Sequence, residues 1–140
     1  MISFYDVQAT VTDQLRTTKI PVTQTDVQEG FDRPSFFVQL DNPTSTGYVT
    51  QIHKSMTVRI YYFPENKHIY TSEILKMQET LTNLFDMKLS VKDRLFNIDN
   101  LSFAVTDGVL ECSFGIAFFD GRQVEEKEKA GSLEFNLRSD

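Results

Sequence analysis

Two histidines, one cysteine and 20 acidic side chains are the groups in this chain whose chemistry could serve catalysis or metal binding. Their spacing assembles no familiar site. His53 and His68 stand far from each other and from Cys112, so ligands never recur at the short intervals a zinc ion needs. The six glycines are scattered and form no phosphate-cradling loop. Asp93, Asp99 and Asp107 fall in predicted turns and Glu111 on the outer face of a predicted strand, where hairpin chemistry accounts for them. His53 lies on the wetter face of a strand and His68 in a connection, positions that favour solvated side chains over ligands. Cys112 has no basic neighbour in the local pattern to lower its pKa, which makes it packing rather than a nucleophile. The inventory predicts no metal, no cofactor and no enzyme, short of a site assembled only in the fold.

What remains is suited to contact. Asp41-Asn42-Pro43-Thr44-Ser45-Thr46-Gly47-Tyr48 is polar and turn-rich with almost nothing apolar to bury, which predicts a projecting loop. Phe36, Phe37, Tyr61 and Tyr62 place aromatic rings on both faces of two strands. Two readings of them stay open. The sheet is covered on both sides by its own chain, or one face or edge, with Arg59 and Tyr61 on it, meets another subunit, as aromatics often do at interface cores. Leu133, Phe135 and Leu137 alternate beyond a charged stretch, Arg122 to Lys129, and predict a strand or arm that pairs with its own sheet or with a neighbour's exposed edge.

The elements that must position these residues can be read from periodicity. Ser3 and Asp6 suggest a capping box, and Phe4, Val7, Val11 and Leu15 share one helical face ending near Thr17. Ile20-Pro21-Val22-Thr23 reads as a short edge strand, because proline cannot donate to a ladder. A turn from Gln28 to Arg33 leads into a strand from Ser35 to Leu40. A second strand is expected from Thr50 to Phe63, with Ile52, Met56, Val58, Ile60 and Tyr62 on one face and His53, Ser55, Thr57, Arg59 and Tyr61 on the other. A helix capped by Thr71 or Ser72 follows, carrying Ile74, Met77, Leu81, Leu84 and Phe85. A short hairpin turns at Lys92-Asp93. A longer one turns at Asp107-Gly108, which sets Val105 opposite Leu110, Phe103 opposite Cys112 and Leu101 opposite Phe114, all on one face.

The composition agrees with a single domain. A chain of 140 residues, 40% hydrophobic and with 12 Phe and no Trp, can bury one aromatic-rich core. The formal charge of −6 has the wrong sign for gripping phosphates, so specific nucleic-acid binding is not expected. A basic patch would require Lys54, Arg59, Lys88, Lys92 and Arg94 to gather in space; scattered solvated charge is the simpler reading. Residues 1 to 25 carry no signal-peptide pattern and no segment is long and apolar enough to span a membrane, which, with a single cysteine, points to a reducing cytoplasmic compartment for synthesis.

Four pieces in this order resemble the tail terminator family of tailed bacteriophages. They are Glu29-Gly30-Phe31-Asp32-Arg33-Pro34-Ser35-Phe36-Phe37-Val38, the run from Val58 to Pro64, the turn Asp93-Arg94-Leu95-Phe96, and Asp107-Gly108-Val109-Leu110. A helix precedes them and another lies between the second and third pieces. The resemblance implies an α+β domain over residues 1–120, a mainly antiparallel sheet with two helices on one face, followed by a linker and arm over 121–140. It implies a structural protein of the virion tail, assembled in the host cytoplasm. Its partners would be its own copies in a ring, typically a hexamer, the tail tube protein, and a neck or head-completion protein. DNA passes through such a ring without specific binding. On that reading the tube or lumen contact falls to Asp41, Asn42, Thr44, Ser45 and Tyr48, and the subunit interface to Arg59, Tyr61, Leu133, Phe135 and Leu137. A head-completion or neck protein is the alternative within virion assembly; a small ligand-binding module or enzyme is the alternative outside it.

Overall fold

The computed structural model describes residues 1–23, 33–66 and 68–121. The Gly30 turn and the arm residues Leu133, Phe135 and Leu137 lie outside them. The chain starts with helix α1 (Phe4–Arg16), followed by strands β1 (Val22–Thr23), β2 (Ser35–Gly47) and β3 (Gln51–Phe63), and then helix α2 (Thr71–Leu84). The hairpin β4 (Lys88–Val91) and β5 (Arg94–Asn97) comes next, and β6 (Asp99–Thr106) and β7 (Val109–Gly121) complete it. Among the described residues five strands form one sheet in the order β1-β2-β3-β7-β6, antiparallel except where β1 runs parallel to β2; β4 and β5 pair separately.

Both helices bury their apolar stripe against the same sheet face. Val7, Val11 and Leu15 of α1 and Ile74, Met77 and Leu81 of α2 join Met56, Val58, Ile60 and Tyr62 of β3 and Leu110, Cys112, Phe114, Ile116 and Phe118 of β7 in one cluster. The first helix starts where its sequence demands. The Ser3 hydroxyl accepts from the Asp6 amide at 3.0 Å while the Asp6 carboxylate accepts from the Ser3 amide at 2.8 Å, satisfying two donors that the first turn leaves unpaired. That exchange, with Lys92 3.2 Å away, holds the Asp6 carboxyl below its ordinary pKa. The Asp107-Gly108 turn has positive φ at both residues, 52° and 76°, as a two-residue hairpin turn requires, and the pairs Val105 with Leu110 and Phe103 with Cys112 form as expected.

Four local expectations are corrected. The segment from Asp41 to Gly47 is not a loop. It is the second half of β2, because its backbone pairs with β3 through Thr44–Ser55, Ser45–Lys54, Thr46–His53 and Gly47–Ile52 after a bulge. Asn42, with φ 52°, and Pro43 fall inside that bulge, where a proline costs no ladder bond. Helix α2 has Tyr70 at its N-cap with no side-chain hydrogen bond, so neither Thr71 nor Ser72 caps it. A second bulge, between Asp99 and Ser102, breaks the direct Leu101–Phe114 pair and draws Asp99 out of its expected turn into β6. The fourth concerns Lys54, which is buried rather than one of the scattered solvated charges.

Candidate functional site

The sheet face turned away from the helices carries two of the predicted interface residues, Arg59 and Tyr61; Leu133, Phe135 and Leu137 lie outside the described residues. Alternation places Phe37, Gln39 and Asp41 of β2, Thr57, Arg59 and Tyr61 of β3, and Glu111, Ser113 and Gly115 of β7 on it, and among the described residues no helix covers it. Arg59 stands at its centre. Its Nε donates to Asp41 at 2.5 Å and its Nη1 to Glu111 at 2.5 Å, so one guanidinium ties three strands together with each side chain about 30% exposed. The hydrogen bond to Glu111, then that to Asp41, raises the Arg59 pKa, so the cation persists at any working pH. Tyr61 packs beside Phe37, ring centroids 6.1 Å apart, and its phenol titrates above its ordinary value because it is partly buried and sits near the Glu111 charge. Below this row Asn42, Thr44, Ser55, Thr57, Gly115 and Ala117 line an open trough of about 620 Å³. Small side chains leave room there for another surface.

The predicted contact segment lies at one end of the same sheet. From Asn42 to Gly47 β2 is exposed on both faces, among the described residues paired only to β3, and the chain reverses at Tyr48, whose amide donates to the Gln51 carbonyl at 2.8 Å. Val49 at the tip is 92% exposed. The Tyr48 ring lies 6.1 Å from Phe119, which in turn lies 4.7 Å from His53, so the end of the hairpin is aromatic as well as polar. Thr44 and Ser55 share a hydrogen bond across the strands. The segment is one strand of a paired hairpin instead of a loop. Asp41 belongs to the Arg59 row, while Asn42, Thr44, Ser45 and Tyr48 belong to the hairpin; the bulge separates the two groups.

A polar centre that sequence reasoning missed lies on the covered face. Asp120 accepts from the Ile2 amide at 2.8 Å and from Lys54 Nζ at 3.3 Å, and Lys54 Nζ also donates to the Ile2 carbonyl at 2.9 Å. Arg94 Nη1 approaches the other carboxylate oxygen at 3.7 Å and donates to the Phe119 carbonyl at 2.7 Å. Burial by itself would raise the Asp120 pKa, but the Ile2 hydrogen bond and the Lys54 ammonium outweigh it and hold the carboxyl low. The chain start, β3, β5 and the end of β7 are thereby fastened at one point. The one available signal was a lysine inside the apolar alternation of β3, at the position opposite Ser45.

No catalytic arrangement comes together among the described residues. No group of three or more histidine, cysteine, aspartate or glutamate side chains there could hold a metal. Burial pushes the Cys112 thiol up to about 12, far from the thiolate a nucleophile needs. Tyr62 donates to Glu73 in a close contact, and its burial raises the phenol further from titration. The basic side chains are scattered, as expected, and do not gather into a patch: Lys54 and Arg94 turn to Asp120, Arg59 to Asp41 and Glu111, Lys92 to Asp6 and Lys88 to Asn97. No helix of the described residues is long and apolar enough to cross a membrane.

The described residues form a two-layer α+β domain with one sheet face that no described helix covers and an exposed hairpin at one end of the sheet. A family model described as phage tail terminator protein matches residues 6–128, and the chain belongs to that family. Its role is that of a structural component of a phage tail. No curated protein matches it. Among solved structures, one is 12% identical over 90% of this chain and the whole of the other, with a TM-score of 0.41, too slight a likeness to carry an argument.

Proposed function

We propose that this protein caps the head-proximal end of the phage tail tube as a closed ring, ends tube growth there and offers the surface to which the neck of the head attaches. The family match over residues 6–128 carries the reading. Stopping a polymer requires a piece that binds the last ring of the tube and offers no template for the next. A ring of head-to-tail contacts does this when its two ends differ, since each copy then uses one surface as donor and another as acceptor. On this reading the face around Arg59 and Tyr61, which no described helix covers, meets a neighbouring copy, and the exposed hairpin of Asn42, Thr44, Ser45 and Tyr48 meets the tube or the lumen. The charge of −6 per copy, summed around a ring, would repel DNA passing through an acidic lumen rather than retain it.

Electron microscopy of the protein mixed with its tail tube subunit tests the proposal. Tubes of limited length, each closed at one end by a ring, are expected. Monomers alone, both in free solution and beside uncapped tubes, would refute it.

A further inference from the structure

The sheet face that no described helix covers carries both a projection and a hollow near its hairpin end. Phe119 and Tyr48 form the projection, 48% and 53% exposed with ring centroids 6.1 Å apart, and the His53 ring lies 4.7 Å from Phe119. Along the same strands the surface then falls away. Ala117 and Gly115 follow Phe119 at two-residue steps on β7, and with Thr44, Ser55 and Thr57 beside them they line the trough of about 620 Å³. A glycine inside a strand weakens it, and often marks a bulge or a place where another molecule comes close. The bulge next to Gly115 carries its extra residue on β6, where Asn100 has φ 55°. A Cβ at Gly115 would meet nothing nearer than the Asp99 Cβ at 3.8 Å, an ordinary contact. The described residues therefore do not require the missing side chain.

That projection and hollow share one face selects the partner. A head-to-tail contact sets two different sides of the subunit against each other, whereas a donor and an acceptor that point the same way meet when a second copy is turned over onto the first by a two-fold axis. Phe119 and Gly115 are separated along β7 by about 13 Å at ~3.3 Å per residue. An axis crossing the strands at Ala117 lays β7 over the β7 of the other copy, running oppositely, and sets each Phe119 above the other's Gly115. The same operation sets His53 above Thr57, since His53 pairs with Phe119 and Thr57 with Gly115. Facing sheets pack about 10 Å apart with their side chains interdigitated, so a phenyl ring fills the space that a glycine and an alanine leave open.

We propose that two free copies of this chain pair face to face about that axis, each placing Phe119 and Tyr48 in the trough of the other. The paired area follows from the strands involved. β2, β3 and β7 together are about 14 Å wide, and the stretch of β3 from Gln51 to Arg59 is about 30 Å long, which gives roughly 850 Å² over both copies. A stable interface needs about 1,000 Å² or more, so the pair is a transient, concentration-dependent one. It covers the hairpin of both copies. On the capping reading above, to which this consequence alone belongs, the pair is a holding form that opens before the hairpin meets a tube.

Sedimentation velocity of the full chain without tubes, from micromolar to millimolar concentration, tests the pairing. Monomers passing into dimers are expected. Gly115→Val fills the hollow with a good strand former whose Cβ has room in its own chain, so it should raise the dimer dissociation constant at least about tenfold while circular dichroism stays native. Phe119→Ser removes the projection and should act in the same direction. Ala117→Cys places one thiol from each copy at the axis, where a short bismaleimide should join two copies; the unsubstituted chain, whose Cys112 is buried, should give no such product. Monomers at every concentration overturn the proposal, as do free rings without dimers, a Gly115→Val dimer as tight as the wild type, or no crosslink through Ala117→Cys. Because tubes are absent from these measurements, a failure here leaves the capping reading standing, and uncapped tubes beside a normal dimer would sink that reading alone.

Discussion

Replacing Lys54 by methionine keeps most of the side chain's bulk against the Phe4 ring, 5.7 Å from Nζ, and removes only the ammonium. Asp120 then stays ionised in a site where its side chain is 4% exposed, having lost its nearest cation, while the Ile2 carbonyl loses its donor. Removing one partner of a buried pair costs about 3–5 kcal/mol. The Ile2 amide at 2.8 Å and Arg94 at 3.7 Å still attend the carboxylate, which argues for the lower end, about 3 kcal/mol. For a domain of this size that corresponds to a fall in Tm of roughly 10 °C. Thermal unfolding followed by far-ultraviolet circular dichroism at pH 7 measures it. In a double-mutant cycle, adding Asp120→Asn should restore part of the loss, because the stranded charge disappears with its partner. A single-variant loss below about 1 kcal/mol, with no coupling in the cycle, would show that the pair behaves as a solvated surface ion pair and that the fastening is unimportant.

Three further outcomes follow from the same geometry. The Asp120 pKa is lower in the folded protein than its ordinary value of 3.8, so its contribution is present above that value and is lost as the pH falls below it; the Tm gap between wild type and Asp120→Asn should therefore narrow from pH 6 to pH 3, and an unchanged gap would contradict the assignment. Gly108→Ala places a Cβ 3.0 Å from the Tyr70 ring at φ +76°, so a loss of about 1–2 kcal/mol is expected in denaturant unfolding, with no loss pointing to a turn that tolerates other geometries. Val49→Asp changes a tip residue that is 92% exposed and should alter stability by less than about 0.5 kcal/mol while weakening tube capping in the microscopy assay; full capping would remove the hairpin tip from the tube contact.

Elements specified by neighbours along the chain were legible in the sequence. The capping box and apolar stripe of α1, the β4–β5 turn at Lys92-Asp93 and the β6–β7 hairpin at Asp107-Gly108 depend on residues a few positions apart, so spacing alone fixes them. The alternation of β3 likewise told which side chains enter the core, and it placed Arg59 and Tyr61 on the other face. It could not tell that none of the described helices covers this face, nor that Arg59 would find Asp41 and Glu111 on two different strands. Turn-prone composition from Asp41 to Gly47 was overridden because β3 offers a continuous ladder to pair with, and one bulge absorbs Asn42 and Pro43. Lys54 is buried for the same kind of reason. An ammonium inside an apolar row is tolerable only beside a carboxylate and a carbonyl, and Asp120 and Ile2, distant in sequence, arrive there only when the sheet and the first helix have closed on each other.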